Sequence, residues 1–256
     1  MNGEVSQICR IVAAARTAMK NGTDYEFIPL KYEGSITFNF CDRRKEGGPL
    51  FRAKDPADWF AHLKKEGVEN IFMIMGMKVA RQQLGYVNHA ATTIFVRYAD
   101  NTVTRFVPHW TFSNETSLWT TVYTESIAEG APENDPDFRN ETSLMIATLT
   151  DIEKLAEEIG EERFAGIFKK AAGILSGDEI PAFKEGAVPP QIPEDMMKFY
   201  VASDMADVFG AMGSWNDTGA AAAQSHDRSK DYVTLSDRLV CGIRLMTMYA
   251  VNFPIK

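Results

Sequence analysis

The alternation of apolar and polar positions between residues 90 and 125 predicts three antiparallel β-strands joined by short turns. Asp100-Asn101 lies between two runs rich in Thr, Val, Ile, Phe and Tyr. Both turn residues tolerate the positive φ that a two-residue hairpin requires. A second turn at residues 113–116 predicts that the third strand begins at Ser117. We therefore expect a β-meander in this part of the chain.

The two turns also predict which side chains share a face of the meander. The first turn places Tyr98 opposite Val103, and the second places Trp110 opposite Trp119. One face then carries Phe95, Phe106, Trp110, Trp119 and Tyr123, and the other carries Ile94, Val96, Val103, Val107, Leu118 and Val122. Since both faces are apolar, we expect cover on both. A one-residue slip exchanges the faces and exposes the same amount of apolar surface, so we expect cover on both faces in either register.

The remaining periodicity predicts helices and a few further strands. Apolar residues at steps of three and four predict helices over residues 4–20, 55–65, 142–159, 161–175, 194–212 and 236–251, with short helices near 78–84 and 219–224. Further strands are predicted over residues 25–31, 35–41 and 70–75. Asp55 and Pro56 are typical of an N-cap and a first helical position. The continuous apolar run 70–75 predicts a buried central strand, and the helix before it favours a parallel neighbour.

Together these elements predict an α+β fold with a central, mostly antiparallel or mixed sheet and helices covering both faces. We expect one domain over residues 1–256. Residues 1–125 form its sheet-rich half, and residues 140–256 form a helical half that packs on the sheet. The proline-rich segment 176–193 is long for a connection within a domain, and Ile180 and Phe183 would hold it against the body as an arm.

Composition narrows the range of partners. The net charge is −8, and residues 125–162 alone carry 2 Lys/Arg against 12 Asp/Glu. We interpret this acidic segment as a solvated loop and helix face that repels nucleic acid and anionic lipid. No apolar run is long enough to span a membrane, and no signal sequence is recognisable. Three scattered cysteines fit free thiols in a reducing compartment, which favours a cytoplasmic location.

The residue types used in catalysis and metal binding do not form a convincing motif. The four histidines are His62, His89, His109 and His226. None of them has the spacing of a metal site. Ser225-His226-Asp227 contains the residue types of a catalytic triad, but sequence neighbours cannot converge as a triad does. No glycine-rich phosphate loop is present. We therefore expect no metal, no cofactor and no assignable catalytic residue.

Residues 210–217 form the most unusual local sequence, with two interpretations. Glycines at 210 and 213 follow a predicted helix, and Trp215 then lies next to Asn216 and Asp217. As a ligand loop, the glycines would allow close backbone approach, with Trp215 stacking on the ligand. As a structural plug, Gly213 would end the helix and Trp215 would fill the core. The sequence leaves both interpretations open.

Arg244 lies in a helix that is apolar on nearly every side. A buried guanidinium requires a compensating partner, and Asp204, next to the apolar stripe of the 194–212 helix, is the natural candidate. The alternative is an arginine that binds an anion in a pocket. A structural ion pair and a ligand site are therefore both compatible with this sequence.

Two hypotheses for function follow. The leading one is a non-catalytic, intracellular binding protein that acts through a protein partner or through self-association as a homo-oligomer. The absence of a convergent catalytic set motivates it. The alternative is a small-ligand-binding protein or enzyme with a pocket formed by Trp215, Asn216, Asp217, Arg244 and His109.

Overall fold

The computed structural model describes residues 1–43, 50–77, 81–129 and 138–255 of the chain. The helices are α1 Gly3–Asn21, α2 Pro56–Lys65, α3 Thr142–Glu158, α4 Glu162–Ser176, α5 Glu194–Ala206, α6 Ala220–Ser225 and α7 Ser229–Val251. The strands are β1 Glu33–Asn39, β2 Arg52–Ala53, β3 Val68–Met75, β4 Thr92–Tyr98, β5 Val103–Ser113 and β6 Leu118–Ile127. Asp55 caps α2 by accepting a hydrogen bond from the Asp58 N–H, and Pro56 begins the helix, as predicted.

The six strands form one mixed sheet in the order β2-β1-β6-β5-β4-β3. β1 and β6 are parallel, and the other neighbouring pairs are antiparallel. The predicted α+β class and mostly antiparallel sheet are confirmed. β3 is an edge strand with an antiparallel neighbour, so the prediction that residues 70–75 form a central strand is wrong. The sequence run is apolar because both faces of β3 are packed: Cys9 of α1 meets Met73 on one face, and Phe72 stacks on Phe95 of β4 on the other.

The meander is present, but its register differs from the predicted one. Ile94 pairs with Phe106, one residue away from the predicted pairing. The hairpin has a three-residue loop that ends in Asn101 at φ 65°, a common alternative to the two-residue turn. In the second hairpin Phe112 pairs with Trp119, a shift of two residues. A register shift by an odd number of residues changes which side chains of the two paired strands share a face, whereas a shift by an even number does not.

The one-residue shift moves two apolar side chains of β4 to the face that carries Phe106 and Tyr123, which we call the first face. Ile94 and Val96 join Phe106 and Tyr123, and all four are fully buried. On the second face of β5, Val107 is 44% exposed. Its neighbours along that face, Arg105, His109 and Thr111, are exposed as well. The expectation of cover along both faces of the meander is therefore wrong for β5, and it did depend on the register.

Helices α1 and α2 cover the first face of the sheet. The Cys9 Sγ of α1 lies 3.8 Å from the Met73 Sδ of β3. In α2, the Trp59 ring stacks on Phe38 with centroids 4.8 Å apart and meets Phe106 edge-on at 5.8 Å. These contacts place the core between the sheet and the two helices.

The C-terminal end of α7 covers the open edge of β3. The Asn252 Oδ1 accepts a hydrogen bond of 2.9 Å from the Met73 N–H, and its Nδ2 donates one of 2.9 Å to the Met73 carbonyl. The buried Arg16 of α1 donates to the Phe253 carbonyl at 2.9 Å. Because these bonds satisfy backbone groups that an edge strand leaves unpaired, β3 offers little for another strand to pair with.

The helical half packs around α7, which contacts α3, α5 and α6. Buried residues from both halves belong to one hydrophobic cluster, and the assignment of a single domain stays a prediction. α5 ends at Ala206 rather than 212, because the chain turns there and the Trp215 N–H donates to the Val208 carbonyl at 3.1 Å. α7 begins at Ser229, before the predicted start.

Two predicted segments outside the sheet core have no regular structure. Residues 25–31 form no strand, and the predicted short helix near 78–84 appears only as a 3₁₀ turn at Arg81–Gln83. Residues 78–80 of that prediction lie outside the described residues. In the arm 176–193, Ile180 packs against the core cluster, whereas Phe183 is 40% exposed.

Candidate ligand-binding cleft

The five residues of the sequence-predicted pocket do not converge. Trp215 is fully buried. Its Nε1–H donates to the Ser236 Oγ at 2.8 Å, and the rings of Phe164, Phe168 and Tyr232 surround it, each with its centroid 5.3 Å away. Trp215 therefore has no free ring face for a ligand, which favours the interpretation as a core plug.

Asn216 and Asp217 hold the same turn together. The Asn216 Nδ2 donates to the Arg81 carbonyl at 2.7 Å. The Asp217 Oδ2 accepts from the Gly213 N–H at 2.7 Å, and Gly213 has φ 76°, which a residue with a side chain rarely adopts. One contact closes the 210–217 turn and the other joins it to the segment around Arg81, so Asn216 and Asp217 have structural roles.

Arg244 is buried, as predicted, but Asp204 is not its partner. Arg244 donates to the Gly76 carbonyl at 2.6 Å and to the Ala90 carbonyl at 3.0 Å. Asp204 instead lies 2.9 Å from the Met1 amino group and is 47% exposed. Burial lowers the pKa of Arg244, and the charge of Asp207 opposes that effect. The buried carboxylate that acts on Arg244 is thus Asp207, one turn further along the chain.

The cavity beside Arg244 is too small for an organic ligand. It has a volume of about 20 Å³ and is lined by Arg244, Asp207 and mostly apolar side chains. A cavity of that size holds about one water molecule. His109 does not line it, because His109 is exposed on the second face of β5. The predicted pocket is therefore not assembled around these residues.

A different cleft, of about 350 Å³, opens where four separate segments meet. Its lining comes from residues 2–4 at the start of α1, from Tyr32 before β1, from residues 85–87 before β4, and from Trp110 and Trp119 on β5 and β6. We call this the aromatic cleft. Its volume lies within the range of roughly 300–1,000 Å³ that is usual for small-molecule sites.

The sheet positions the two tryptophans of the aromatic cleft. Trp110 pairs with Thr121 and Trp119 with Phe112, so the two indoles are diagonal neighbours on the first face. Their centroids are 6.0 Å apart and their planes meet at 65°. The Trp119 N–H donates to the Tyr32 carbonyl at 2.8 Å, which holds Tyr32 beside them. The indoles therefore form a corner rather than a closed stack.

The opposite wall is a loop that Asn88 fastens to β5. The Asn88 Oδ1 accepts from the Trp110 N–H at 2.8 Å, and its Nδ2 donates to the Trp110 carbonyl at 3.1 Å. Asn88 itself has φ 64°, a conformation that asparagine tolerates better than most residues. Gly85 packs so closely that a Cβ there would lie 2.5 Å from the Gly210 carbonyl carbon. These contacts fix the loop that carries Tyr86 and Val87.

Glu4 supplies the acidic group of the cleft. It is 8% exposed, and its Oε1 accepts from the Asn88 N–H at 2.6 Å. Burial raises the pKa of Glu4, and the N–H groups of Asn88 and Ala90 oppose that rise. Among the described residues, no Lys or Arg nitrogen forms an ion pair with this carboxylate.

Several groups in the cleft lack the partners that a closed protein core provides. The Trp110 Nε1–H is buried and has no hydrogen-bond partner among the described residues. Tyr86 is 63% exposed and Val87 is 43% exposed. A site with apolar walls, one buried acid and an unpaired donor has the composition of a small-molecule site.

Two other cavities of similar size lack this combination. One, of about 360 Å³, lies between α3 and α7, and the other, of about 480 Å³, lies beside α2. Their charged lining residues, such as Glu141 and Arg238 in the first and Lys64 in the second, are exposed. Only the aromatic cleft, among these three, places a buried charge against several aromatic rings.

Sequence reasoning missed the aromatic cleft because its residues come from four distant segments. Trp110 and Trp119 were assigned to a covered aromatic face, and nothing in the sequence indicated that Glu4 or Tyr86 would meet them. The available signal was the pair of tryptophans on neighbouring predicted strands, since each combines a large apolar ring with an N–H that needs a partner when buried.

Comparison with known proteins gives no relative: no protein-family model, no curated protein and no solved structure matches this chain significantly. Within the described residues, no helix combines the length and hydropathy needed to cross a membrane. In the same residues, no group of three or more His, Cys, Asp or Glu side chains is arranged to hold a metal ion.

Proposed function

We propose that this protein is a non-catalytic binding protein that takes a small ligand in the aromatic cleft. The observation that carries the proposal is the meeting of Trp110, Trp119, Tyr32 and Tyr86 around a buried Glu4 in a cleft of about 350 Å³. Aromatic and apolar walls with few polar groups supply contact area and orientation together. The ligand would cover Tyr86 and Val87, which are otherwise exposed.

Action through a protein partner or self-association is less well supported by the geometry. The exposed second face of β5 alternates Val103 and Val107 with Arg105, His109 and Thr111. Such a mixture is typical of a solvated face rather than an interface core. Self-association stays a prediction, and light scattering after size exclusion tests it. A monomer at micromolar concentration would count against it.

The proposal is tested by a ligand screen with the intact chain and two variants. Small metabolites are screened by ligand-observed NMR, and each hit is titrated against wild type, Trp119→Ala and Val107→Ala. Val107 lies on the neighbouring strand but on the opposite face, so it is the matched control. We expect hits to lose at least about tenfold in affinity with Trp119→Ala, which corresponds to about 1.4 kcal/mol, and to keep it with Val107→Ala.

The unfolding midpoints of the three proteins are measured in parallel, so that lost binding is not confused with lost folding. If every hit binds Trp119→Ala as well as it binds wild type, the aromatic cleft is not the ligand site and the proposal fails.

A further inference from the structure

The chemistry of the aromatic cleft also points to a class of ligand, and this step rests on the function proposed above. We infer that the cleft binds a small organic cation with a methylated ammonium group, placed between the indole faces and the carboxylate of Glu4. Charge, ring geometry and hydrogen-bonding capacity support this inference separately.

The charge of the cleft favours a cation. Among the described residues, Glu4 is the only acidic residue of its lining, and no Lys, Arg or His lines it. Glu4 receives backbone N–H groups and forms no ion pair there, although the charges of His89 and His109 act on it from outside the lining. A buried carboxylate without an ion-pair partner is costly, so a bound cation would be stabilised there. An anionic ligand would be repelled by Glu4 and by the net charge of −8.

The aromatic rings of the cleft are suited to such a cation. A cation is attracted to the face of an aromatic ring, and tryptophan gives the strongest attraction. Trp110 and Trp119 meet at 65°, so they form a corner. In the described residues, cation–π contacts occupy other rings, such as those of Tyr98 and Tyr232, and none involves an aromatic ring of the cleft. The protein's own cations therefore leave these rings available.

Hydrogen-bonding capacity favours a methylated ammonium over a primary one. A primary ammonium carries three N–H donors that need acceptors. In the cleft, the Glu4 carboxylate keeps acceptor capacity beside the bond from the Asn88 N–H, whereas the Asn2 Oδ1 already accepts from the Val5 N–H at 2.9 Å. The other acceptors for a primary ammonium would be the neutral phenol oxygens of Tyr32 and Tyr86. A quaternary ammonium needs no acceptor and places apolar methyl groups against apolar walls.

The test uses isothermal titration calorimetry of the intact chain with four matched probes. The probes are choline, tetramethylammonium, ethanolamine and the neutral isostere of choline in which a tert-butyl group replaces trimethylammonium. We expect choline and tetramethylammonium to bind, with ethanolamine and the neutral isostere at least about tenfold weaker. Acetate, an anionic probe, is expected not to bind.

Two variants test separately how the charge of Glu4 and the aromatic wall of the cleft contribute to ligand affinity. Glu4→Gln keeps the shape and an acceptor for the Asn88 N–H, so it should weaken choline at least about tenfold while leaving the neutral isostere unchanged. Trp119→Ala should weaken both.

The outcomes separate this inference from the proposed function. If the neutral isostere binds as tightly as choline and Trp119→Ala weakens both, the cleft is a ligand site but not a cation site, and only the inference fails. If neither choline nor tetramethylammonium binds, the inference also fails. The metabolite screen then still tests whether the cleft binds a ligand of another class. If Glu4→Gln leaves choline affinity unchanged, the carboxylate has no part in recognition and the inference is overturned.

Discussion

The carboxylate of Glu4 accepts a hydrogen bond of 2.6 Å from the backbone N–H of Asn88, and this contact joins the first turn of α1 to the loop before β4. Asn88 in turn fastens that loop to Trp110 of β5 through two side-chain hydrogen bonds. Two residues thus connect a helix, a loop and a strand at one place. The aromatic cleft owes its shape to this junction.

The ionised form of Glu4 is expected to cost stability. Burial raises the pKa of Glu4 above its ordinary value of 4.5, against the opposing effects of the Asn88 and Ala90 N–H groups and of His89 and His109. With a raised pKa, the folded state holds the proton more tightly than the unfolded state does. The contribution of Glu4 to the free energy of unfolding is therefore highest below pH 4.5 and falls as pH rises through the folded-state pKa.

Glu4→Gln removes this titration and keeps the acceptor for Asn88. We expect the variant to gain stability relative to wild type as pH rises from acidic to neutral, by about 1.4 kcal/mol for each unit by which the pKa is raised. Urea unfolding of both proteins across this pH range measures the difference. A variant that instead loses stability relative to wild type over the same range would show that the carboxylate is stabilised by the fold. A charge retained at a cost to stability is typical of a binding site.

Gly85→Ala is expected to displace the loop wall of the cleft. The new Cβ would lie 2.5 Å from the Gly210 carbonyl carbon and 2.6 Å from the Ala211 nitrogen, so backbone must move. We expect a loss of about 1–3 kcal/mol in the free energy of unfolding, as in other overpacked sites, with weaker binding of cleft ligands. Gly166→Ala in α4 is the control.

At Gly166 a Cβ meets nothing within 4 Å, so the control should be neutral or stabilise the helix by up to about 1 kcal/mol. Chemical denaturation and ligand titration of both variants give the comparison. Equal stability of the two variants would contradict the close approach of Gly85 to Gly210.

Trp215→Ala separates the two interpretations of the 210–217 segment. Because the indole is fully buried and bonded to Ser236, we expect a loss of about 3–5 kcal/mol in the free energy of unfolding. The fraction that remains folded should bind cleft ligands with unchanged affinity. Denaturation followed by titration below the unfolding midpoint measures both quantities. A stable variant that has lost ligand binding would instead support the ligand-loop interpretation.

The sequence predicted the fold class and most helices because these depend on local periodicity. Asp55 and Pro56 set the start of α2 through backbone chemistry that acts over one turn. The register of the β4–β5 hairpin was missed because it depends on whether Asn101 is the second or the third residue of the turn. That single residue decides whether Ile94 lies with Phe106 or opposite to it. The same residue decides that Ile94 and Val96 do not lie on the face where Val107 is exposed.

The candidate site was harder to predict than the fold, because residue type alone does not determine burial or neighbours. Trp215 and Asn216 have the residue types of a ligand loop, yet the fold uses them in the core and in a turn. Glu4 has the appearance of an ordinary acidic residue in a first helical turn. Its role depends on the loop at Asn88, which is distant in sequence and reaches it only through the tertiary fold.

Arg244→Met tests whether the buried arginine is structural. The guanidinium donates to the Gly76 and Ala90 carbonyls, so it ties the end of β3 to the segment before β4, and Asp207 is the buried carboxylate acting on it. Its removal leaves two carbonyls unpaired and, within the described residues, leaves Asp207 with only the Met1 amino group, 3.8 Å away, as a nearby positive charge. We expect a loss of about 3–5 kcal/mol in the free energy of unfolding, measured by urea denaturation.

Arg228→Met is the matched control, because Arg228 is 37% exposed and forms surface ion pairs with Glu158 and, at 2.8 Å, with Asp231. Exposed pairs contribute about 1 kcal/mol or less, so the control should change little. The double variant Arg244→Met/Asp207→Asn should recover part of the loss, since the Asp207 charge that lost the guanidinium is then absent. A single variant as stable as the control would show that neither the carbonyls nor Asp207 needs the arginine.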